Sequence, residues 1–326
     1  MKLMETLGFF LMSLMTATSA VAAQRSLDNY PVKPVRVIVV FPPGSGTDIA
    51  SRAVAQELTE AFGKQFVIDN RPGAGGMIGT EIAAHSAPDG YTLLAVSSSY
   101  TINPSVYAKV PYDPKRDLQP ISLIASTPYL MIAHPSLHAK TVSDVIALAR
   151  AKPGALSYAA GGVGVGSHLA GELFKTMAKV DIVMVPYKGA PQATADVVAG
   201  QVQLGFGTMP TALPLVKAGK LHALGVTSEK RTSAAPDIPA IAEFGLPQFD
   251  VQTWFGILAP AKTPAALTNR VQHAIVEAVK KERVRDRLVA QGYEIVGSTP
   301  EQFAALINKE IDKWSMVVKL ARIPKM

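Results

Sequence analysis

Between Val35 and Phe62 the chain changes its period. Val35 to Phe41 is a β-branched apolar run, the pattern of a strand buried on both faces. From Ile49 the apolar residues recur at Ala50, Ala53, Val54, Leu58 and Phe62, a helical spacing. Between the two lies Pro42-Pro43-Gly44-Ser45-Gly46-Thr47-Asp48, too small and too polar to be core. The same alternation continues: strand Gln65 to Asp69, glycine-rich turn Arg71 to Gly76, helix Met77 to His85, turn Pro88-Asp89-Gly90, strand Tyr91 to Val96. This is βαβ order and predicts a parallel sheet with helices on its faces.

Ser97 to Gln119 carries Pro104, Pro111 and Pro114 and reads as loop. Ile121 to Ala133 reads as extended with an interruption at Pro128, and Thr141 to Ala151 as a helix stopped by Lys152-Pro153-Gly154. A second α/β series follows. Its strands are Leu156 to Ala159, Ile182 to Val185, Gln203 to Phe206 and His222 to Val226. Its helices are Ser167 to Ala178, Pro191 to Ala199 and one ending near Ala218. Val251 to Leu258 is extended again, and the remainder predicts helices. Thr263 and Thr299 are placed as N-caps before proline, and Thr299 with Gln302 has capping-box spacing. Two series separated by single extended segments predict two lobes with crossings near Ile124 to Leu130 and Val251 to Ile257. The first lobe would be discontinuous, 24–126 and 254–326, and the second 127–253.

The composition narrows this picture. With 326 residues, 48% hydrophobic and 7% aromatic, the chain suits a two-domain α/β protein packed with Ala, Val and Leu. The formal charge of +7 is diffuse, with no Lys/Arg run, which suits anionic small molecules or no particular partner, and argues against nucleic acid. There is no cysteine, which excludes disulfides, thiol catalysis and Cys-zinc sites. Lys2, the apolar run Leu7 to Val21 and the small residues Ala20-Val21-Ala22-Ala23 predict a signal peptide over 1–23 and export to the periplasm.

Catalytic motifs are missing: no P-loop, no G-x-S-x-G, no H-E-x-x-H and no S-x-x-K. His134 and His138 are separated by Pro135, which argues against a helical metal pair. Gly162-Val163-Gly164-Val165-Gly166 is half of a dinucleotide fingerprint, but Asp181 opens the next strand instead of closing it. No cofactor and no metal are expected. What remains is two glycine-rich strand-to-helix turns, Gly44 to Asp48 and Gly161 to Ser167, one in each predicted lobe. Free N–H groups, the helix dipole and close backbone approach make such turns anion sites. The alternative is two tight turns with glycine for geometry alone.

An ordered series of motifs covers nearly all of the chain after residue 24. It includes YPVKPVRVIVVFPPGSGTDIASR, VIDNRPGAGGMIGTEIAA, PDGYTLL, INPSVY, VPYDPKRDLQPISLIA, VPYKGAPQATADVVAGQVQLGF and PDIPAIAEFGLPQFDVQTWFGILAPAKTP. In these the chain resembles the Bug/TctC family, the exported substrate-binding proteins of tripartite tricarboxylate transporters. The resemblance implies a bilobal periplasmic-binding-protein fold (Venus flytrap, type II-like), a cleft ligand and no enzymatic activity. It also implies a carboxylate held by backbone amides, hydroxyls and bridging waters, without a dedicated arginine. The implied partners are a small organic acid and the membrane components of a tripartite transporter, with a sensor kinase as the alternative, and the implied state is a monomer.

Carried over by position, the first-lobe anchor is Phe41, Gly44, Ser45, Gly46, Thr47 and Asp48, with Ser98, Ser99 and Tyr100 beside it. The second-lobe anchor is Gly161, Gly162, Val163, Gly164, Val165, Ser167 and His168, with Gly207 and Thr208. Lys188 of the Tyr187-Lys188-Gly189 signature reads either as a ligand contact or as a surface charge. Four positions depart from the family pattern. Ser45 replaces a glycine, Ala160 and Val165 replace hydroxyl residues, and Gly207 replaces an aspartate. These departures predict a carboxylate with an apolar or aromatic remainder over citrate or an amino acid.

Overall fold

The computed structural model describes residues 29–320 and 323–325; the expected signal peptide lies outside them. In chain order the first series is β1 (Val35–Val39), α1 (Gly46–Phe62), β2 (Phe66–Asn70), α2 (Met77–Ala84), β3 (Thr92–Ser97) and α3 (Ser99–Val106). The second is β4 (Leu118–Ala133), α4 (Val142–Ala151), β5 (Ser157–Ala160), α5 (Gly166–Ala178), β6 (Val183–Pro186), α6 (Ala190–Val198), β7 (Leu204–Thr208), α7 (Met209–Lys217) and β8 (His222–Val226). The chain closes with β9 (Gln252–Pro260), α8 (Ala265–Lys280), α9 (Glu282–Ala290), β10 (Glu294–Ile295) and α10 (Pro300–Leu320).

The continuous apolar run of β1 is explained by burial on both faces. Val35, Val37 and Val39 pack with Val54 and Leu58 of α1, whereas Ile38 and Val40 pack with Met77, Leu94 and Phe303. β5 and β7 divide in the same way: Tyr158, Ala160, Leu204 and Phe206 face one core, Ala159 the other.

The sheet runs β2-β1-β3-β9-β4-β7-β5-β6, with β8 and β10 also pairing to β4. It is mixed, not parallel as the βαβ order predicts. β1, β2 and β3 are parallel, as are β5, β6 and β7, but β9 and β4 run antiparallel to their neighbours. The cause is the two crossings. β4 carries the chain outward from the first lobe and β9 brings it back, so the two pair antiparallel. β4 is also one strand of 16 residues, without the interruption expected at Pro128. Pro128 stands where β4 exchanges its partner: Thr127 and Pro128 face Thr253 and Gln252 of β9, and Tyr129 faces Thr208 of β7. A residue with no N–H is tolerated at such a switch.

Three further expectations are corrected. The proline-rich stretch after Ser97 contains helix α3, with Pro104 inside it. Proline leaves the carbonyl of Tyr100 without its helical donor, and the Tyr112 hydroxyl donates to that oxygen at 3.2 Å. Thr263 does not cap α8; its hydroxyl donates to the Pro260 carbonyl at 2.8 Å and the helix begins at Ala265. The tail is not wholly helical, because β10 pairs with Ala125 and Ser126 of β4. Thr299 and Gln302 do form the reciprocal cap, at 3.0 and 3.2 Å. α10 then spans both cores, with Phe303 and Ile307 in a first-lobe cluster and Trp314 and Val318 in a second-lobe cluster. Among the described residues no helix is long and apolar enough to cross a membrane.

Candidate functional site

The first glycine turn is built around Asp48. Its carboxylate accepts from the Gly44 N–H at 2.9 Å, from Arg52 Nε at 2.9 and 3.0 Å, and from Asn70 Nδ2 at 2.9 Å. Asn70 Nδ2 also donates to the Phe41 carbonyl at 2.9 Å, which ties the turn to the end of β2. Burial alone would raise the Asp48 pKa, but the bonds from Arg52, Asn70 and Gly44 outweigh it and hold the carboxyl below its ordinary value. Ser45 caps α1, its Oγ accepting from the Asp48 N–H at 3.2 Å. Asp48 is therefore spent within the turn, and of α1's first-turn donors those of Gly46 and Thr47 are left at the cleft.

The second turn uses the same device without a charge. Gly161 N–H donates to Ser167 Oγ at 3.0 Å and Gly164 N–H to His168 Nδ1 at 3.3 Å. Burial lowers the His168 pKa more than Glu172 raises it, which favours the neutral, accepting ring. The N-cap of α5 is Val165, that of α6 is Gly189 and that of α7 is Thr208; none makes a side-chain cap. Their first-turn donors are not consumed by a capping side chain.

These starts meet in a cavity of about 40 Å³. Ser45, Gly46 and Thr47 contribute the start of α1, Val165 and Ser167 that of α5, Ala190 that of α6 and Thr208 that of α7. Phe41, Ser97, Tyr129, Gly161 and Thr253 complete the wall, and no charged side chain is among these residues. Convergent helix N-termini plus hydroxyls select a compact anion. A larger chamber of about 350 Å³ adjoins it, sharing Phe41 and Gly161. Pro72, Ala74, Tyr107, Val163, Pro186 and Tyr187 make the chamber largely apolar, and Lys188 is its one charged residue.

Of the residues expected from sequence, the inner cavity brings together Phe41, Ser45, Gly46, Thr47, Gly161, Val165, Ser167 and Thr208. Gly162, Val163 and Lys188 lie in the outer chamber. Gly44, Asp48, Gly164 and His168 hold the turns. Ser98 is buried and donates to Thr253 Oγ1 at 3.0 Å, and Ser99 Oγ lies 3.3 Å from Ser97 Oγ. Tyr100 points away: its hydroxyl donates to the Pro114 carbonyl at 2.9 Å and its ring stacks on Tyr112. Gly207 also faces away, for a Cβ there would lie 2.9 Å from Ala212 Cβ and 3.4 Å from Thr194 Oγ1.

Sequence reasoning missed Ser97, Tyr129, Ala190 and Thr253. Ser97 lies one residue beyond the expected end of β3, while Tyr129 and Thr253 lie in the expected crossings, which the sequence marks only as extended segments between the lobes. Burial pushes the Tyr129 phenol up to about 12 against the bonds to Thr253 and Ser98, so it stays protonated as a donor.

The cleft is closed. Tyr107 Oη, from the first lobe, donates to the Val163 carbonyl of the second at 3.0 Å. A Cβ at Gly164 would lie 2.6 Å from the Tyr107 ring, and one at Gly189 2.4 Å from Pro42 Cγ. Both glycines have positive φ, 72° and 156°, so geometry and close approach demand the same residue.

The sequence pattern of the tripartite tricarboxylate transporter family receptor, TctC, matches residues 50–322. The chain belongs to this family. It is 36% identical to protein BugT of Bordetella pertussis over 320 residues, 98% of this chain and 97% of that protein. Among solved structures it is similar to an R. palustris protein with adipate, with TM-score 0.89, 34% identity and coverage of 91% and 100%. It is also similar to MatC from Rhodopseudomonas palustris with bound malate, with TM-score 0.85, 31% identity and coverage of 89% and 100%. The fold is thus that of the bilobal periplasmic binding proteins, and the family consists of solute-binding receptors, not enzymes.

Proposed function

We propose that this TctC-family receptor is exported to the periplasm, binds a small organic carboxylate between its lobes and delivers it to the membrane components of a tripartite tricarboxylate transporter. The observation that carries the reading is the convergence of four helix starts, α1, α5, α6 and α7, on a cavity with no charged side chain. Adipate and malate in two similar structures support a carboxylate ligand. Hydrogen bonds to a charged group contribute roughly 1.5–3 kcal/mol each. Three or four of them, less the ordering costs, reach the roughly −8 kcal/mol of micromolar binding.

The ligand is a carboxylate with an apolar body. The carboxylate sits among the helix starts in the inner cavity, and the body extends into the outer chamber between Phe41, Tyr107 and Val163. Gly207 does not enter this argument, since its position faces Ala212. The support comes instead from the chamber, where extra carboxylates or hydroxyls find few donors apart from Lys188. Calorimetry against benzoate-type acids, aliphatic mono- and diacids, citrate, aspartate and glutamate decides the matter. The expected order places an apolar mono- or diacid first. Tighter binding of citrate or aspartate than of every apolar acid would overturn the ligand assignment, and no binding of any carboxylate would overturn the function. Small-angle scattering should show a smaller radius of gyration with the best ligand than without.

A further inference from the structure

The peptide that joins Val163 to Gly164 is held from both sides. Its carbonyl accepts from Tyr107 Oη of the first lobe at 3.0 Å, and its N–H donates to His168 Nδ1 at 3.3 Å. A peptide unit is planar, so its N–H and C=O turn together. Rotation of this plane turns ψ of Val163 and φ of Gly164, and glycine, here at φ 72°, permits the second over a wide range. The bond to His168 lies within the second lobe, whereas the bond to Tyr107 runs between the lobes. His168 thus fixes the orientation in which the carbonyl meets Tyr107.

An imidazole accepts at Nδ1 only while that nitrogen carries no proton. His168 is 5% exposed, and the charges that act on its ring are Glu172 and Lys175, both on α5 and opposed in effect. From β5 the Tyr158 hydroxyl lies 3.4 Å from the His168 carbonyl and 2.9 Å from Glu172 Oε1. From the first lobe the Tyr107 ring lies over Gly164. A proton on Nδ1 would face the Gly164 N–H donor to donor. We propose that His168 is a positioning residue for closure: neutral, it holds the Val163 carbonyl toward Tyr107; protonated, it frees the peptide, and the receptor opens. The proposal rests on the reading of a carboxylate enclosed between the lobes. The closed form then holds fewer protons than the open one, so binding releases protons and weakens as pH falls. One hydrogen bond is at stake, so the total loss is about two- to twelvefold.

Calorimetry with benzoate, which stays largely ionised from about pH 7.5 to about pH 5, tests this. Wild type should lose affinity by that factor across the range and release protons on binding, seen as heats that depend on the ionisation enthalpy of the buffer. His168→Ala should bind weakly at every pH. His168→Asn, whose amide oxygen takes the place of Nδ1 without titrating, should restore the affinity and remove the pH dependence. Three outcomes overturn the proposal: a wild-type affinity that does not change with pH, a dependence that persists in His168→Asn, or a His168-dependent affinity that rises as pH falls, the mark of an imidazolium paired with the ligand. Nitrogen-15 spectra of the wild type without ligand need no variant to fold. The His168 ring and the Gly164 amide should titrate with one midpoint, and separate midpoints overturn the proposal whether or not benzoate binds. A shared midpoint without binding of any carboxylate supports the hold of His168 on the peptide and overturns the cleft reading alone.

Discussion

Tyr107→Phe isolates the contact that closes the cleft. The hydroxyl belongs to the residue after α3 in the first lobe, and its acceptor is the Val163 carbonyl in the second glycine turn, 3.0 Å away. The ring remains in the variant, so its packing beside Gly164 is kept and only the hydrogen bond is lost. In the open receptor both groups reach water, so the substitution should leave open-state stability near its wild-type value. In the closed receptor the bond contributes about 0.5–1.5 kcal/mol net. Ligand binding draws on the closed form, so the dissociation constant should rise by about two- to twelvefold, without new ligand contacts being lost. The upper part of that range applies if the variant leaves the Val163 oxygen dry, and the lower part if water from the outer chamber replaces the phenol. Calorimetry with the tightest acid of the panel measures the shift, and thermal unfolding without ligand supplies the control. An unchanged constant in a fully folded Tyr107→Phe would refute the latch. An equal loss of ligand-free stability would show that the bond belongs to the fold and not to closure.

Other residues yield predictions of different kinds. Thr253→Val removes the acceptor of the buried Ser98 hydroxyl, which should lower stability by about 1–3 kcal/mol; adding Ser98→Ala should recover part of the loss, read as non-additivity in a double-mutant cycle of unfolding free energies. Lys188→Ala should leave benzoate binding unchanged but weaken a diacid such as adipate by about two- to fivefold, the worth of an exposed ion pair, as titration calorimetry would show. Asp48, Glu57 and Asp69 are all held below their ordinary values, so each binds fewer protons folded than unfolded. Their stabilisation is complete above the ordinary values of 3.8 and 4.5 and is lost as pH falls through the depressed folded ones. Asp48→Asn should therefore flatten the acid limb of a plot of Tm against pH; a limb as steep as wild type would contradict the role given to Asp48.

The sequence carried the lobes and turns because both are written in local chemistry. β1 is legible because a strand buried on two faces has no polar alternation to confuse it, and the turn after it because only Gly, Ser and Asp fill it. The failures have non-local causes. α3 hides behind Pro104, whose missing hydrogen bond is repaired by Tyr112, eight residues later, a compensation no local window contains. The mixed sheet is likewise invisible to βαβ order, because the direction of β4 and β9 is set by the need to leave one lobe and return.

The same distinction explains which site residues the sequence exposed. Helix-start residues announce themselves by glycine and hydroxyls, so Ser45, Gly46, Thr47, Gly161 and Ser167 were within reach. Tyr129 and Thr253 look like ordinary strand residues, and only the pairing of the two crossings sets them beneath the cleft. Their position gives them a different part in binding. If the lobes rotate about the crossings, the glycine turns would travel with α1 and α5, whereas residues on the crossings would lie near the axis and move least. A carboxylate would thus meet a floor that is already placed, with Tyr129 kept protonated by burial and linked through Thr253 to Ser98. The turns then close over it from either side. That division also accounts for the positions of the glycines. Gly164 and Gly189 stand where turns of one lobe touch residues of the other, Tyr107 and Pro42, and Gly166 stands where α5 descends onto Tyr129, whose hydroxyl would lie 2.3 Å from a Cβ there. Side chains larger than hydrogen at Gly164 and Gly189 would hold the lobes apart before the helix starts could reach a ligand, so the closeness that glycine permits there would let the N–H groups of both lobes meet on one anion.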